Sequence, residues 1–171
     1  MSISGYAWEQ RKRPGFMCLS ALELWFCRLS SCVSRSRKHI ARVIEKFQGQ
    51  ELDAHYLGFF ECFNQQLFYE AHEVLEKIWL PQRNAPDGPF YKGLIQLAGA
   101  FVHLQKNRTV PAASLFRLAE SNLRPFQPKH HDLDIKGTLK IIQEWLDSVE
   151  SSSFLTNPLD SRIAPRLFLT S

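Results

Sequence analysis

The order of apolar and polar residues predicts a succession of helices from residue 52 onward. Asp53 is a suitable N-cap for a first helix, in which aromatic and aliphatic residues recur at spacings of three and four. These residues are Tyr56, Leu57, Phe59, Phe60 and Phe63. A short break at residues 64–66 leads to a second helix over residues 67–80. We expect Pro81 to end it, because proline lacks the N–H that a helix interior requires.

A turn-rich segment, PQRNAPDG at residues 81–88, separates the second helix from the third. Asp87 is expected to cap this third helix, at about residues 89–105. Its sequence is apolar almost all round, which is typical of a central helix with neighbours on several sides. Gly99 lacks a side chain, so a close approach of another helix at this point would compensate for the low helix propensity of glycine.

Two further helices follow the central one. Thr109 is expected to cap the fourth, which ends before Pro125. Either Asp132 or Asp134 opens the fifth, and the apolar residues of this helix fall on one face: Ile135, Leu139, Ile142, Leu146 and Val149. No stretch of five or more residues alternates as a strand does. The chain is therefore predicted to be all-α, a compact antiparallel bundle of about five helices.

Charge divides the chain into parts. Residues 1–48 carry nine Lys and Arg against three Asp and Glu, whereas the remainder carries twelve against fourteen. The net charge of +4 therefore belongs to the N-terminal part, and a mildly acidic remainder does not favour nucleic-acid binding. We predict a basic extension at 1–48 that is poorly ordered or loosely docked. A globular domain at 50–150 and an irregular tail at 151–171 follow, and residues 167–169 could fold back onto the core.

The cysteines show no pattern of a metal or disulfide site. Cys18, Cys27, Cys32 and Cys62 lack CxxC spacing and do not pair with histidines at zinc-ligand intervals. The globular part contains only Cys62, which we expect in the core, so a reducing, cytoplasmic location is the simplest interpretation. No run reaches the roughly 18 to 20 apolar residues that cross a bilayer, and no membrane span is predicted.

The second helix carries polar residues among apolar ones, in the stretch FYEAHEVLEKIW at residues 68–79. At 100° per residue, His72 and Glu76 share one margin of the apolar face, beside Trp79. Their spacing of four residues allows these two side chains to touch. Glu70 lies at the opposite margin, so all the acidic residues of this stretch cannot converge on His72.

The third helix has one polar line, which includes Gln96 and His103. A buried polar group without a partner costs about 1 to 3 kcal/mol, so we expect the second helix to supply partners here. The predicted result is a polar cluster between two helices, flanked by aromatic residues. Its candidate members are Glu70, His72, Glu76, Gln96 and His103, and the flanking aromatic residues are Tyr69 and Trp79.

Two motifs stand in order on these helices: FNQQLFYEAHEVLEKIWL at residues 63–80 and FYKGLIQLAGAFVHLQKN at residues 90–107. They closely resemble domain-of-unknown-function family 309, whose pattern is FN, then aromatic-EAHE-x-x-E-x-x-W, then GLIQ-A and a histidine. The matching residues are Phe63, Asn64, Tyr69, Glu70, Ala71, His72, Glu73, Glu76, Trp79, Gly93, Leu94, Ile95, Gln96, Ala98 and His103. The resemblance covers roughly residues 53–124. It implies a small all-α bundle and brings no established activity.

Three functions remain open for the predicted cluster. We favour a binding or scaffold module, in which Tyr69, Glu73 and Trp79 line a groove for a protein partner or for self-association. The alternative is an enzyme that uses the His/Glu cluster with a metal or as a general acid and base. Against metal chemistry, the chain has no second Glu-x-x-His copy, and HExxH fails because Glu76 stands four residues after His72. The third hypothesis is a purely structural cluster that fixes helix packing.

Other candidate sites are weaker. His130-His131-Asp132 could ligate a metal, but adjacent histidines before a helix cap are more often a solvated loop, which is our expectation here. No Gly-rich phosphate loop, nucleophile elbow or dinucleotide fingerprint is present, and no cofactor is predicted.

Overall fold

The computed structural model describes residues 33–160 and 164–170. Six α-helices lie in these ranges: α1 (Val33–Phe47), α2 (Ala54–Asn64), α3 (Phe68–Gln82), α4 (Gly88–Gln105), α5 (Thr109–Leu123) and α6 (Ile135–Ser151). Backbone contacts divide the chain into two units, residues 1–34 and 35–171, and helices α2 to α6 belong to the second. The predictions for Cys18, Cys27, Cys32 and most of the basic extension lie outside the described residues.

Helices α2 to α6 pack in sequence order, each against the next, which confirms the all-α bundle. The predicted central helix is α4, and it is buried almost all round against α3 and α5. Within the predicted basic extension, residues Val33–Phe47 form the helix α1. Val43 of α1 is buried, and Lys46 forms an ion pair with Glu61 of α2 at 2.9 Å.

Two predicted helix ends differ in outcome at α2 and α3. The carboxylate of Asp53 accepts a hydrogen bond from the His55 backbone N–H, so the predicted cap of α2 is confirmed. The predicted stop at Pro81 is wrong, because α3 continues through this residue to Gln82. In the last turn of a helix, a missing proline N–H removes one backbone hydrogen bond, and only one more residue follows.

Two predicted caps are wrong in their chemistry. Asp87 stands at the N-cap of α4, but its side chain makes no capping hydrogen bond. Its carboxylate instead contacts two histidines, which are described below. At α5 the N-cap is Arg108, one residue before the prediction. The Thr109 hydroxyl donates to the backbone oxygen of Phe154 at 2.6 Å, so it is used to hold the segment after α6.

Phe101 of α4 is the centre of an aromatic core. Its ring stacks on Phe68 at 4.9 Å between centroids. Three further rings approach it at steep angles, each from a different helix: Phe63 of α2, Phe116 of α5 and Trp145 of α6. The Phe101 ring is fully buried and therefore packs against rings from four other helices, α2, α3, α5 and α6.

A small hairpin precedes α6, formed by β1 (Lys129–His130) and β2 (Leu133–Asp134). The absence of strands was predicted from stretches of five or more residues, a criterion that two-residue strands cannot meet. Asp134 caps α6 by accepting from the Gly137 backbone N–H, which confirms the second of the two predicted openings. Two 3₁₀ turns, Arg124–Phe126 and Pro158–Asp160, complete the described elements.

The end of the chain returns to α2 and the hairpin. The side-chain amide of Asn64 donates to the Leu167 backbone oxygen and accepts from the Leu167 backbone N–H, both at 2.8 Å. Leu169 forms a bridge with Leu133, and the Thr170 backbone N–H donates to the Asp132 oxygen at 2.7 Å. Leu167 is buried whereas Phe168 is exposed, so part of the segment expected to fold back does so.

Within the described part of the chain, none of the helices combines the length and apolar character needed to cross a membrane. Partner binding and cellular location stay predictions.

Candidate functional site

His72 and Glu76 lie together on α3, as their spacing indicated. The Nδ1 atom of His72 is 4.0 Å from a carboxylate oxygen of Glu76. The side chains are 3% and 12% exposed, respectively, so both lie largely out of water. Desolvation penalises the charged form of each group, which moves the pKa values in opposite directions.

Burial lowers the pKa of His72 to about 4. Burial raises the pKa of Glu76 to about 7, with the charge of Glu73 adding to the effect and that of Lys77 opposing it. At neutral pH, His72 is therefore uncharged, and Glu76 is present in both its protonated and its ionised form. A carboxyl group with this pKa has the property that general acid and base catalysis uses.

Replacing Glu76 with glutamine is expected to stabilise the protein at pH 8 by about 1 to 2 kcal/mol and to have little effect at pH 5. Since the folded pKa of Glu76 exceeds 4.5, its favourable contribution is present below that pH and is lost as pH rises through about 7. Urea unfolding at both pH values measures the difference. Glu144→Gln, at an exposed position of α6, is the control and should change stability little at either pH. An equal gain from Glu76→Gln at pH 5 and pH 8 would contradict the assigned pKa.

His72 contributes a pH dependence of stability of the opposite sign. Its folded pKa lies below 6.5, so its contribution is fully present above that pH and is lost as pH falls toward about 4. The stability of the Glu76→Gln protein should therefore rise from pH 4 to pH 6.5, once the opposing carboxyl titration has been removed.

Gln96 has a partner that the sequence did not indicate. Its side-chain oxygen accepts a hydrogen bond from the side-chain amide of Asn122, on α5, at 2.7 Å. His103 lies seven residues further along α4, which is about 10 Å along the helix axis. Burial lowers its pKa to about 4, and the charges of Arg108 and Lys106 act in the same direction. The meeting of His72 and Glu76 with Gln96 and His103 at one point stays a prediction.

The remaining cluster candidates lie at other positions around α3. Glu70 acts on Cys62 of α2: burial raises the pKa of this thiol to about 12, and the charges of Glu70 and Glu61 add to the effect. The Tyr69 hydroxyl donates to the Glu73 carboxylate at 3.1 Å, one turn along the helix. Cys62 is fully buried, as predicted.

Trp79, the other predicted flanking aromatic, lines an open cavity of about 300 Å³. We call it the terminal cavity, because it lies where α3 ends, α4 begins and α5 ends. Its lining residues are Trp79, Arg83, Asn84, Gly88, Pro89, Lys92 and Asn122. Two of them are cationic and none is acidic. The lining therefore includes both Trp79, a predicted flanking aromatic residue, and Asn122, whose side chain donates a hydrogen bond to the buried Gln96.

His131 is exposed in the hairpin turn, in agreement with the expected solvated loop, but both histidine rings also contact Asp87, which was not predicted. The Nε2 atom of His130 lies 2.9 Å from one carboxylate oxygen of Asp87, and Nε2 of His131 lies 3.0 Å from the other. Asp132, the third residue of the sequence candidate, instead pairs with Lys129 at 3.1 Å. Partial burial acts to raise the pKa of Asp87, but the two histidines lower it below its ordinary value.

Comparison with known proteins gives one family. Residues 56–115 match the model of the family described as Domain of unknown function (DUF309). This match confirms the resemblance inferred from the two motifs. No curated protein and no solved structure gives a significant match to the chain. The terminal cavity includes Trp79 and Lys92 from the matched segment, whereas Asn122 and both histidines of the hairpin lie beyond it.

Proposed function

We propose, on the premise that residues 56–115 form a DUF309 domain, that this domain is a binding module for a small anionic ligand. The observation that carries the proposal is the composition of the terminal cavity, in which Arg83 and Lys92 face the same space without an acidic neighbour in the lining. Among residues 33–160 and 164–170, neither cation forms an ion pair. Carboxylate or phosphate oxygens would therefore meet two available positive charges.

The two cations have different roles in this proposal. Arg83 is exposed at the end of α3, and its guanidinium can donate two parallel hydrogen bonds to a carboxylate or phosphate. Lys92 is half-buried on α4 and supplies a compact charge closer to the protein body. Hydrogen bonds to charged groups contribute about 1.5 to 3 kcal/mol, so two such residues are sufficient to select an anion over a neutral molecule.

Asn122 favours a ligand that carries a hydrogen-bond donor. Its side-chain nitrogen donates to Gln96 and to the Leu118 backbone oxygen, at 2.7 and 3.1 Å. Both N–H bonds are thereby used, and the side-chain oxygen is left as an acceptor. With Trp79 as an apolar wall, the cavity suits a phosphate ester or carboxylic acid that also carries a hydroxyl group. Its volume of about 300 Å³ is at the small end of ligand sites.

The first test titrates the 171-residue chain with glycerol 3-phosphate and monitors binding by two-dimensional NMR. We expect saturable shifts of the Trp79 indole N–H and the Asn122 side-chain amide. Arg83→Gln and Lys92→Gln should each weaken binding about tenfold or more, since each removes one charge-assisted contact. Arg117→Gln is the matched control, because Arg117 is an arginine of α5 that pairs with Glu150, away from the cavity lining.

Inorganic phosphate and glycerol separate the two parts of the ligand. Phosphate should bind at the same residues but more weakly, because it lacks the carbon chain that contacts Trp79, and glycerol should not bind. Equal affinity for glycerol and glycerol 3-phosphate, or unchanged affinity in the Arg83→Gln, Lys92→Gln double variant, would reject the proposal.

A further inference from the structure

The Asp87 carboxylate and the two histidines of the hairpin bring three metal-ligand groups together. One donor atom from each residue can be chosen so that all three lie within 4.8 Å of one another. Both histidines use the Nε2 atom, and each approaches a different oxygen of the same carboxylate. The residues are 43 and 44 positions apart in sequence, so this convergence is produced by the fold and not by local spacing.

The turn that carries His131 is held in a conformation that its residues rarely adopt. His130 pairs with Leu133, which leaves His131 and Asp132 as a two-residue connection with φ values of 44° and 61°. Left-handed conformations at both positions are typical of a type I′ turn, where Asn-Gly is the usual sequence. A non-glycine residue in such a conformation costs about 1 kcal/mol or more, although histidine and aspartate adopt it more readily than most residues.

Contacts from two sides hold the turn in this position. The Tyr56 hydroxyl donates to the His131 backbone oxygen at 2.9 Å. The backbone N–H of Thr170 donates to the Asp132 oxygen, and Leu169 bridges to Leu133. The turn is therefore tied to α2 on one side and to the end of the chain on the other. Ligand positions that are fixed before binding reduce the entropy lost when an ion binds.

The imidazole rings are also fixed by aromatic neighbours. The ring of Tyr91 stacks nearly parallel to that of His131, with 6.0 Å between centroids. Phe90 and Phe126 contact the ring of His130 at 4.8 and 4.7 Å. These apolar contacts leave the Nε2 edge of each ring directed at Asp87. Ring orientation is therefore determined by packing as well as by the carboxylate.

We propose that Asp87, His130 and His131 form a binding site for a divalent transition-metal ion, for which Zn²⁺ is the probe. Two imidazole nitrogens and one carboxylate oxygen are the donors that Zn²⁺ and Fe²⁺ accept in sites with open positions. Zinc lies about 2.0 to 2.2 Å from such donors, which places them about 3.4 Å apart around the ion. In the structure the three donor atoms lie within 4.8 Å of one another, so an ion would draw them closer together.

Metal binding replaces the proton on the Nε2 atom of each histidine with the ion. In each histidine, the Nε2 that points at the carboxylate carries the hydrogen-bonding proton; when the ion binds there, a neutral imidazole holds its proton at Nδ1 instead, and an imidazolium keeps the Nδ1 proton and releases the other to water. The carboxylate then neutralises one of the two metal charges. The site supplies three protein ligands, so water or a ligand group can occupy the remaining positions, as in metal sites that act on a bound molecule.

The test uses the tag-free 171-residue chain, stripped with a chelator and titrated with Zn²⁺ by calorimetry. We expect a binding event that Asp87→Asn and His131→Asn each weaken by at least about tenfold, since each removes a direct ligand. Asparagine at position 131 tolerates the left-handed backbone, which alanine would strain. His55→Gln is the matched control: it alters the His55–Asp53 pair, in which one histidine lies 3.2 Å from a carboxylate.

Two further measurements keep the proposal testable if a variant fails to fold. Long-range ¹H–¹⁵N NMR of the unmutated chain should show Zn²⁺-dependent shifts of the His130 and His131 ring nitrogens. Bound Co²⁺ should give visible absorption without the strong near-ultraviolet band of a thiolate ligand, which separates this site from the cysteines. Absence of Zn²⁺ binding, Zn²⁺ binding that is unchanged in both folded variants, or ring nitrogens that do not respond would overturn the proposal.

Discussion

Phe101→Ala is expected to lower the free energy of unfolding by about 3 to 5 kcal/mol, the largest effect of any single replacement proposed for this protein. Phe101 is fully buried, and its ring contacts rings from α2, α3, α5 and α6. Alanine removes these contacts and leaves a cavity that the rigid rings around it cannot fill by moving a short distance. Urea unfolding followed by circular dichroism gives the difference.

Phe168→Ala is the matched control for Phe101→Ala, because it removes the same atoms from a side chain that is 65% exposed. We expect a change of less than about 0.5 kcal/mol there. Comparable losses in the two variants would show that Phe101 does not have the central position assigned to it.

Gly93→Ala is expected to destabilise the protein by about 1 to 3 kcal/mol, although alanine is the better helix former by about 1 kcal/mol. A Cβ atom at Gly93 would lie 2.7 Å from Cγ of Leu123 and 3.3 Å from the backbone oxygen of Ala119. Both neighbours belong to α5, and Leu123 is fully buried, so α4 and α5 would have to separate. Thermal unfolding measures the loss.

Gly99→Ala gives the comparison on the same helix. An added Cβ there would meet only Cδ1 of Leu115, at 3.2 Å, and the end of a half-buried leucine can move aside. We expect Gly99→Ala to change stability by less than about 1 kcal/mol, because the gain in helix propensity offsets the crowding. A larger loss at Gly99 than at Gly93 would reverse the assigned order of the two close approaches.

The helices were predictable because their signals are local. Apolar spacing of three and four, caps at Asp53 and Asp134 and the nearly continuous apolar run of α4 all act within a few turns of chain. The same local argument indicated a close helix approach at Gly99. It could not indicate that Gly93 is closer, because that depends on where Leu123 of α5 packs.

The caps at Asp87 and Thr109 were wrong for a related reason. Each side chain can bond to the backbone of its own helix, but each is used by a partner more than 40 residues away. The sequence pattern indicates a possible hydrogen bond within the helix, but it contains no signal for a bond to a distant residue. The polar side of the terminal cavity was missed in the same way, since Arg83, Lys92 and Asn122 have no common period.

For the candidate site, sequence reasoning found residues but not their partners. His72 and Glu76 were paired from a spacing of four, and they lie 4.0 Å apart. Gln96 was identified as a buried polar residue that needs a partner, but Asn122 was not identified as that partner. Asn64 belongs to the FN motif, yet nothing near it in sequence indicates that it binds Leu167. An asparagine at the end of a helix, followed by a break, is the one signal that could have suggested such a role.

The bond between Asn64 and Leu167 also has a consequence for how the protein is made. The two residues are 103 positions apart. At about 5 to 20 residues per second, the ribosome adds Leu167 roughly 5 to 20 seconds after Asn64. Helices can form in far less time than this, so the helices that have already left the ribosome can pack before the segment that contains Leu167 reaches them. During synthesis there is therefore an interval in which the Asn64 amide and, once it has been made, the hairpin edge at Leu133 have not yet met the segment that covers them.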